Sequence, residues 1–510
     1  MGLFCLVLHT HLPYVRRNGV WPSGEDFFHQ AASECYLPLL GTLERLDEMG
    51  VRDGLTIGLS PMVAHQMQDE HMLAELGWFL GRLELRALRQ VANYDGVFTP
   101  EFKDLAAFYA RFGREQAARL DALPGGGIAT AFASFERAGV IEILGGPATH
   151  PYLPRVGEPL LAEAQVRIGA VEHERLIGRA PAGMWLPECA YRPDAGIERM
   201  LANAGVGHVV IDGPTMLRSA GPGSTFAPRR VGADGPVAFA RNLDVTYRVW
   251  SPTGGYPTGR WYRDFFHYDV EAGFKDWRVT SIRKPLDGKR PYEPARAVEA
   301  ARRDAEDFAA LVATTLAEHE RQTGVEGAIV AAYDTELFGH WWFEGPVFLE
   351  RLFEVLRDAS GVRACSLSRA LELLPEPEPV DLREGSWGFR KDDRSWVAEE
   401  TEHMWSALAE TETETVRLLD KHADATGARA EALAQLVREA MLLQSSDWPF
   451  MVLRGRNPDY ARERFASHRA RWNHMAELLR SRIPDDLVAR EAAAVHEIDN
   501  ILPALSPAAL

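Results

Sequence analysis

Two carboxylates, each closing an apolar run and set among aromatic side chains, are the residues of this sequence best placed to do chemistry. Glu188 stands in Gly183-Met-Trp-Leu-Pro-Glu-Cys-Ala-Tyr-Arg192, and Asp334 in Ala328-Ile-Val-Ala-Ala-Tyr-Asp-Thr-Glu-Leu-Phe-Gly-His-Trp-Trp342. Acids emerging from buried strands into aromatic surroundings suit cleavage of a glycosidic bond, in which one attacks or stabilises and the other shuttles a proton. Either acid alone also reads as a helix-start carboxylate, held by a helix dipole or acting as an N-cap. Both together are harder to explain that way, because Trp341, Trp342 and Phe343 are costly to spend on a solvent-facing loop. Aromatic faces beside carboxylates complement sugar rings, which offer apolar C–H patches and hydroxyl groups.

The elements that must carry these acids are short apolar runs, each ending in a polar or Gly/Pro cluster. They are Leu3–Leu8, Leu55–Leu59, Val140–Leu144, Gly183–Leu186, His208–Ile211, Val237–Ala240 and Ala328–Ala332. Their length and β-branched content suit strands buried on both faces. Helix-like stretches follow most of them, clearest at 295–320 and 345–357. Strands alternating with helices imply a parallel sheet, and their number favours a closed or nearly closed barrel over a doubly wound open sheet. Residues 62–135 read as a helical insertion. Residues 213–236, rich in Gly and Pro, read as an exposed loop, and 242–294 as a second long, aromatic connection of the kind that is usually functional. Residues 1–374 thus form the barrel unit, 375–380 a proline-stiffened linker, and 381–510 a mostly helical C-terminal unit.

In such barrels chemistry gathers at the C-terminal ends of the strands. Those ends supply His9 and His11, Ser60, His150, Glu188, Asp212, Arg241 and Asp334. His9-Thr-His11, with His150 as a third imidazole, also admits a metal-dependent hydrolase. The later strand ends offer acids and an arginine instead of further histidines, so hydrogen bonding to substrate is the preferred reading and no metal is expected. Beyond the barrel, Trp387, Trp396 and Trp405 read as core or as sugar platforms, and Asp447 as a loop acid facing the barrel.

Composition narrows the partners. The 510 residues include 73 acidic and 56 basic side chains, a formal charge of −17, with 46% hydrophobic and 25% charged residues. Such a surface disfavours nucleic acid and anionic membranes and suits a neutral substrate. No apolar run approaches the roughly 18–20 residues of a membrane-spanning helix. No export signal is apparent. Cys5, Cys35, Cys189 and Cys365 are scattered and form no CxxC, which points to reduced thiols in a cytoplasmic protein.

The motifs resemble glycoside hydrolase family 57, and within it the type that branches 1,4-α-glucans. The resemblance rests on Leu8-His-Thr-His-Leu-Pro-Tyr14 with Trp21-Pro22, Ala148-Thr-His150, Trp185 to Pro193, Val249-Trp-Ser251 and Gly255-Tyr-Pro257. It continues through Tyr262-Arg263, Tyr333 to Trp342, Gly385-Ser-Trp-Gly388 and Ser446-Asp-Trp-Pro-Phe450. It implies an α/β fold: an incomplete (β/α)7 TIM-like barrel with an inserted helical domain and a C-terminal helical domain lining the cleft. It implies a retaining mechanism on an α-1,4-glucan donor and acceptor, without metal or organic cofactor, with Glu188 as nucleophile and Asp334 as acid/base. By the resemblance His9, His11, Trp21, His150, Trp261, Trp405 and Asp447 fall at or near the substrate, and the strand-end Arg241 and the aromatic Trp387 are added as expected substrate contacts. In branching members a tyrosine-bearing loop covers the site after the fifth strand. The corresponding stretch 213–236 is short and lacks tyrosine, Phe226 being its only aromatic. That predicts notable hydrolysis beside transfer, with an α-amylase or 4-α-glucanotransferase as the alternative.

Overall fold

The structure, a computed structural model, describes residues 1–94, 100–251, 253–269 and 273–506. Its centre is a barrel of parallel strands: β1 (Gly2–Thr10), β2 (Leu55–Leu59), β3 (Ile141–Leu144), β4 (Gly183–Trp185), β5 (His208–Ile211), β6 (Val237–Ala240) and β7 (Ala328–Asp334). Full ladders join β7-β1-β2-β3 and β4-β5-β6. Single bridges, Gly145 to Met184 and Arg241 to Val330, close the two seams. The seven strands follow one another in order as an incomplete TIM-like barrel, thinly stitched where β3 meets β4 and β6 meets β7.

Alternation along each strand decides what faces inward. Leu3, Cys5 and Val7 of β1 pack inside with Leu144, Trp185, Val210, Phe239, Ala328, Val330 and Ala332. Phe4, Leu6 and Leu8 face the outer helices instead. The same period carries His9 and Asp334 inward at the upper rim, where register pairs them directly. Alanines on β7 leave room for the large Trp185 ring in a small barrel.

The outer layer includes Leu37–Glu48, Pro159–Ile177, Pro294–Thr323 and Gly345–Asp358. Residues 61–137 carry four helices, Pro61–Gln66, Glu70–Asn93, Pro100–Asp121 and Gly127–Arg137. The C-terminal helices Gly427–Leu443, Pro458–Arg480 and Asp485–Ile498 share one core with Tyr14, Met62, Ala148 and Ile168 of the barrel side. This unit is docked on the rim: Thr149 Oγ1 donates to Met441 O, and Ser446 N to His150 O at 3.0 Å. No helix among the described residues is long and apolar enough to cross a membrane, and all the cysteines are free and buried.

Two sequence expectations need correction. Residues 213–236 are not an active-site loop: Gly213–Ala220 is a helix, started by a proline in its first turn and closed before Gly221. The segment then runs to the opposite end of the barrel. There the Phe226 ring stacks on His319 with centroids 4.1 Å apart, and Arg229–Val231 pairs antiparallel with the start of β6. Gly and Pro mark helix ends here and not a free coil. Nor are residues 375–380 simply a linker, because Pro379–Val380 adds a parallel edge to Arg229–Val231. Proline is tolerated there because an edge strand leaves one side unpaired.

Candidate active site

The upper rim carries Glu188 and Asp334 with side chains from the other five strand ends and from the C-terminal helices. Glu188 lies three residues beyond β4 in a tight turn, with φ of 62°, followed by Cys189 at 49°. A non-glycine residue in this left-handed region costs of order 1 kcal/mol and clusters at functional sites. The carboxylate is buried and fully engaged. Oε1 accepts from Ser446 Oγ at 2.7 Å, and Oε2 from the Trp387 indole N–H at 2.7 Å. Burial pushes the Glu188 carboxyl up, while these two hydrogen bonds pull it back.

Asp334 has no such support among the described residues. Burial, then the negative charge of Glu188, pushes its carboxyl up to about 7, with Arg241 and His11 opposing. Two acids close enough for one charge to act on the other thus sit in different environments, the pattern that separates an acid from a nucleophile. Glu336, also buried, is pushed up to about 8 by burial and by Asp334, and accepts from Tyr36 O–H at 2.5 Å. Tyr36 belongs to a π-helical turn, Ala32–Tyr36. Cys35 of that turn donates to Thr335 O at 3.1 Å, and Glu34 takes His340 Nδ1 at 2.7 Å and Arg263 at 2.8 Å. A π turn thereby grips the segment that follows Asp334. Sequence reasoning passed over Glu34, Tyr36 and Glu336, since a π turn has no simple periodic signature.

The histidines form a stack against the barrel floor. His9 lies on Trp185 with centroids 4.4 Å apart, and His11 on His150 at 3.7 Å. His9 Nε2 meets His150 Nε2 at 3.0 Å, and His150 Nδ1 meets Ser446 Oγ at 3.0 Å. His11 bonds Ser60 Oγ at 2.9 Å through Nδ1 and Asp447 at 3.0 Å through Nε2. Burial holds His9 and His150 well below the usual imidazole range, so both are neutral. His9 Nε2 and His150 Nε2 are spent on each other and His150 Nδ1 on Ser446, while the serine and carboxylate bonds of the stack's other end belong to His11.

Other expected contacts are placed differently. Arg241 is tied to Asp212 through Nε at 3.0 Å and Nη2 at 2.6 Å, with Lys391 on the other oxygen at 3.0 Å. Its guanidinium lies 5.3 Å from the Trp387 ring, so it supports that indole. Trp405 lines a half-open cavity of about 430 Å3 with Arg155, Glu399 and Glu402. The cluster of Tyr152, Ala190 and Trp396 joins it to Trp387. Trp21 is 78% exposed. Trp261 is ringed by Arg260, Arg278 and Arg296 at 4.9, 4.1 and 4.7 Å, and nothing in these contacts brings it to Glu188 or Asp334. A buried group of Glu439, His468 and Asp499 has metal-ligand types. It lies in the C-terminal bundle, where Arg471 bonds Asp499 at 2.5 Å and Arg464 bonds His468 at 2.7 Å, so arginines already balance its charge.

Comparison with known proteins agrees with this geometry. The family described as glycosyl hydrolase family 57 matches residues 5–383, and that described as 1,4-alpha-glucan branching enzyme, C-terminal, matches 407–509. A probable 1,4-alpha-glucan branching enzyme of Mycobacterium tuberculosis is 38% identical over 487 residues, 92% of this chain and 90% of that protein. The crystal structure of a GH57 branching enzyme from Thermococcus kodakaraensis superposes with a TM-score of 0.93 at 32% identity, covering 100% of this chain and 96% of the other. An alpha-amylase, AmyC from Thermotoga maritima, gives 0.88 at 26% identity, covering 100% and 98%.

Proposed function

The chain belongs to glycoside hydrolase family 57, and on that footing we propose that it is a 1,4-α-glucan branching enzyme acting by retention. The observation that carries this reading is the split environment of the two acids: Glu188 is held by two hydrogen bonds, while Asp334 is pushed up to about 7. Asp334, protonated, gives its proton to the glycosidic oxygen of an α-1,4-linked donor as Glu188 attacks the anomeric carbon. The C–O bond to the leaving chain breaks and a glucosyl ester forms on Glu188. Asp334, now ionised, takes the proton of the acceptor hydroxyl, which displaces Glu188 with the original configuration restored. When the acceptor is the 6-hydroxyl of another glucan, the product is an α-1,6 branch; when it is water, the chain is hydrolysed.

Transfer to a glucan is favoured by the names of the relatives and by the branching-enzyme type of the C-terminal helices. Those helices deliver Asp447 and Ser446 to the rim. An α-amylase is the second reading, because the AmyC fold is so similar. Nothing about acceptor choice follows from the missing tyrosine in 213–236, since that segment turns away from the rim. Tyr247 and Trp250, both partly exposed on or beside Leu243–Val249 after β6, touch side chains of rim segments instead: Lys391 lies over the Tyr247 ring, and Trp250 packs on Trp341. Amylose treated with the enzyme and then debranched with isoamylase separates the readings. New α-1,6 linkages support branching, and reducing ends alone support hydrolysis.

A further inference from the structure

We infer that Ser446, supplied by the C-terminal helices, is a positioning residue for Glu188: it ends a directed chain of hydrogen bonds running from His9 through His150 to the carboxylate. The inference rests on the reading of Glu188 as nucleophile. Ser446 Oγ lies 2.7 Å from Glu188 Oε1 and 3.0 Å from His150 Nδ1. A hydroxyl has a single proton, and an ionised carboxylate only accepts. The Ser446 proton therefore goes to Glu188, and its oxygen accepts from His150 Nδ1–H. A neutral imidazole protonated at Nδ1 leaves Nε2 bare, so His150 Nε2 accepts from His9 Nε2–H at 3.0 Å. His9 Nδ1 is then bare, and it is a buried nitrogen with no hydrogen-bond partner among the described residues.

The opposite polarity needs Glu188 protonated and donating to Ser446. It ends on a buried His9 Nδ1–H with nothing to accept it, and it forfeits the charge-assisted bonds from Ser446 and Trp387. The chain therefore favours the ionised nucleophile. The backbone fixes the same contact a second way, since Ser446 N donates to His150 O at 3.0 Å and Ser445 bridges to Pro151. His150 itself takes a left-handed φ of 55° to present its ring. Of the charged and titratable groups facing Glu188, Asp447, at the start of the helix Asp447–Arg454, raises its carboxyl and His11 beyond β1 lowers it; Asp334 on β7, Tyr152 beyond β3 and the adjacent Cys189 in turn feel the Glu188 charge and are pushed up by it.

The test is the pH profile of kcat/KM on amylose for the wild type, Ser446→Ala and Ser446→Thr. Loss of the hydroxyl should lower kcat roughly ten-fold with little change in KM and move the acidic limb to higher pH. The alkaline limb, set by Asp334, should stay. Threonine should restore both rate and limb. An unmoved acidic limb in Ser446→Ala, or threonine no better than alanine at equal thermal stability, overturns the inference. A 15N spectrum of histidine-labelled wild-type protein reads the chain without substrate. His150 protonated at Nδ1 and His9 at Nε2 supports it; His150 protonated at Nε2 overturns it. Wild-type protein inactive on every α-1,4-glucan would sink the proposed reaction, while the tautomers would still judge the chain.

Discussion

Trp387 is bonded twice to Glu188: its indole N–H reaches Oε2 at 2.7 Å, and its backbone N–H reaches the Glu188 carbonyl at 2.9 Å. One residue thereby fixes both the strained turn and the carboxylate it carries. Trp387→Phe keeps the backbone bond and the ring but deletes the indole donor. The expected result is a fall in kcat/KM of about ten- to a hundred-fold with the acidic limb moved to higher pH, measured on amylose. An unchanged limb would mean the indole only packs.

Asp334 should set the alkaline limb. It acts first as an acid, so activity should fall as pH rises through about 7, while loss of ionised Glu188 sets the acidic limb. Asp334→Asn should lower the rate on amylose by about a thousand-fold or more, and far less on a donor whose leaving group needs no proton. Equal losses on the two donors would remove Asp334 from the acid role.

The same shift has a stability consequence. Asp334 holds its proton in the fold up to about 7 but loses it near 3.8 when unfolded. Between those values the unfolded chain binds fewer protons, so stability falls as pH rises through that window. Asp334→Asn should therefore stabilise the protein by about 1–3 kcal/mol at pH 8 and by almost nothing at pH 4. Thermal melts at the two pH values check it, and an equal gain at both would contradict it.

Arg241 is predicted to matter for structure before substrate. Arg241→Leu leaves Asp212 fully buried with only Lys391, and should cost about 3 kcal/mol. The double change with Asp212→Leu should recover much of that, as a urea-unfolding cycle would show. A single variant of native stability with raised KM would return Arg241 to the substrate.

The barrel was legible because its strands are short, apolar and buried on both faces, and the two candidate acids because they close two of those runs. The period of two along β1 and β7 then carries His9 and Asp334 to one rim with no further information. What escaped depends on tertiary contact. Ser446 is a small residue in a helical stretch until the C-terminal unit docks and brings it to Glu188. The π turn at Ala32–Tyr36 hides inside a continuous helical pattern. Residues 213–236 misled because Gly and Pro punctuate helices and edges as readily as loops. Arg241 sits at a strand end like a substrate contact, but Asp212, at the neighbouring strand end, claims it.

The most direct test of the central claim is the linkage made from amylose. Purified enzyme incubated with amylose should lower iodine staining and yield chains that isoamylase releases, with Glu188→Gln and Asp334→Asn giving neither. Accumulating reducing ends, with nothing released on debranching, would contradict branching and leave a hydrolase on the same two acids.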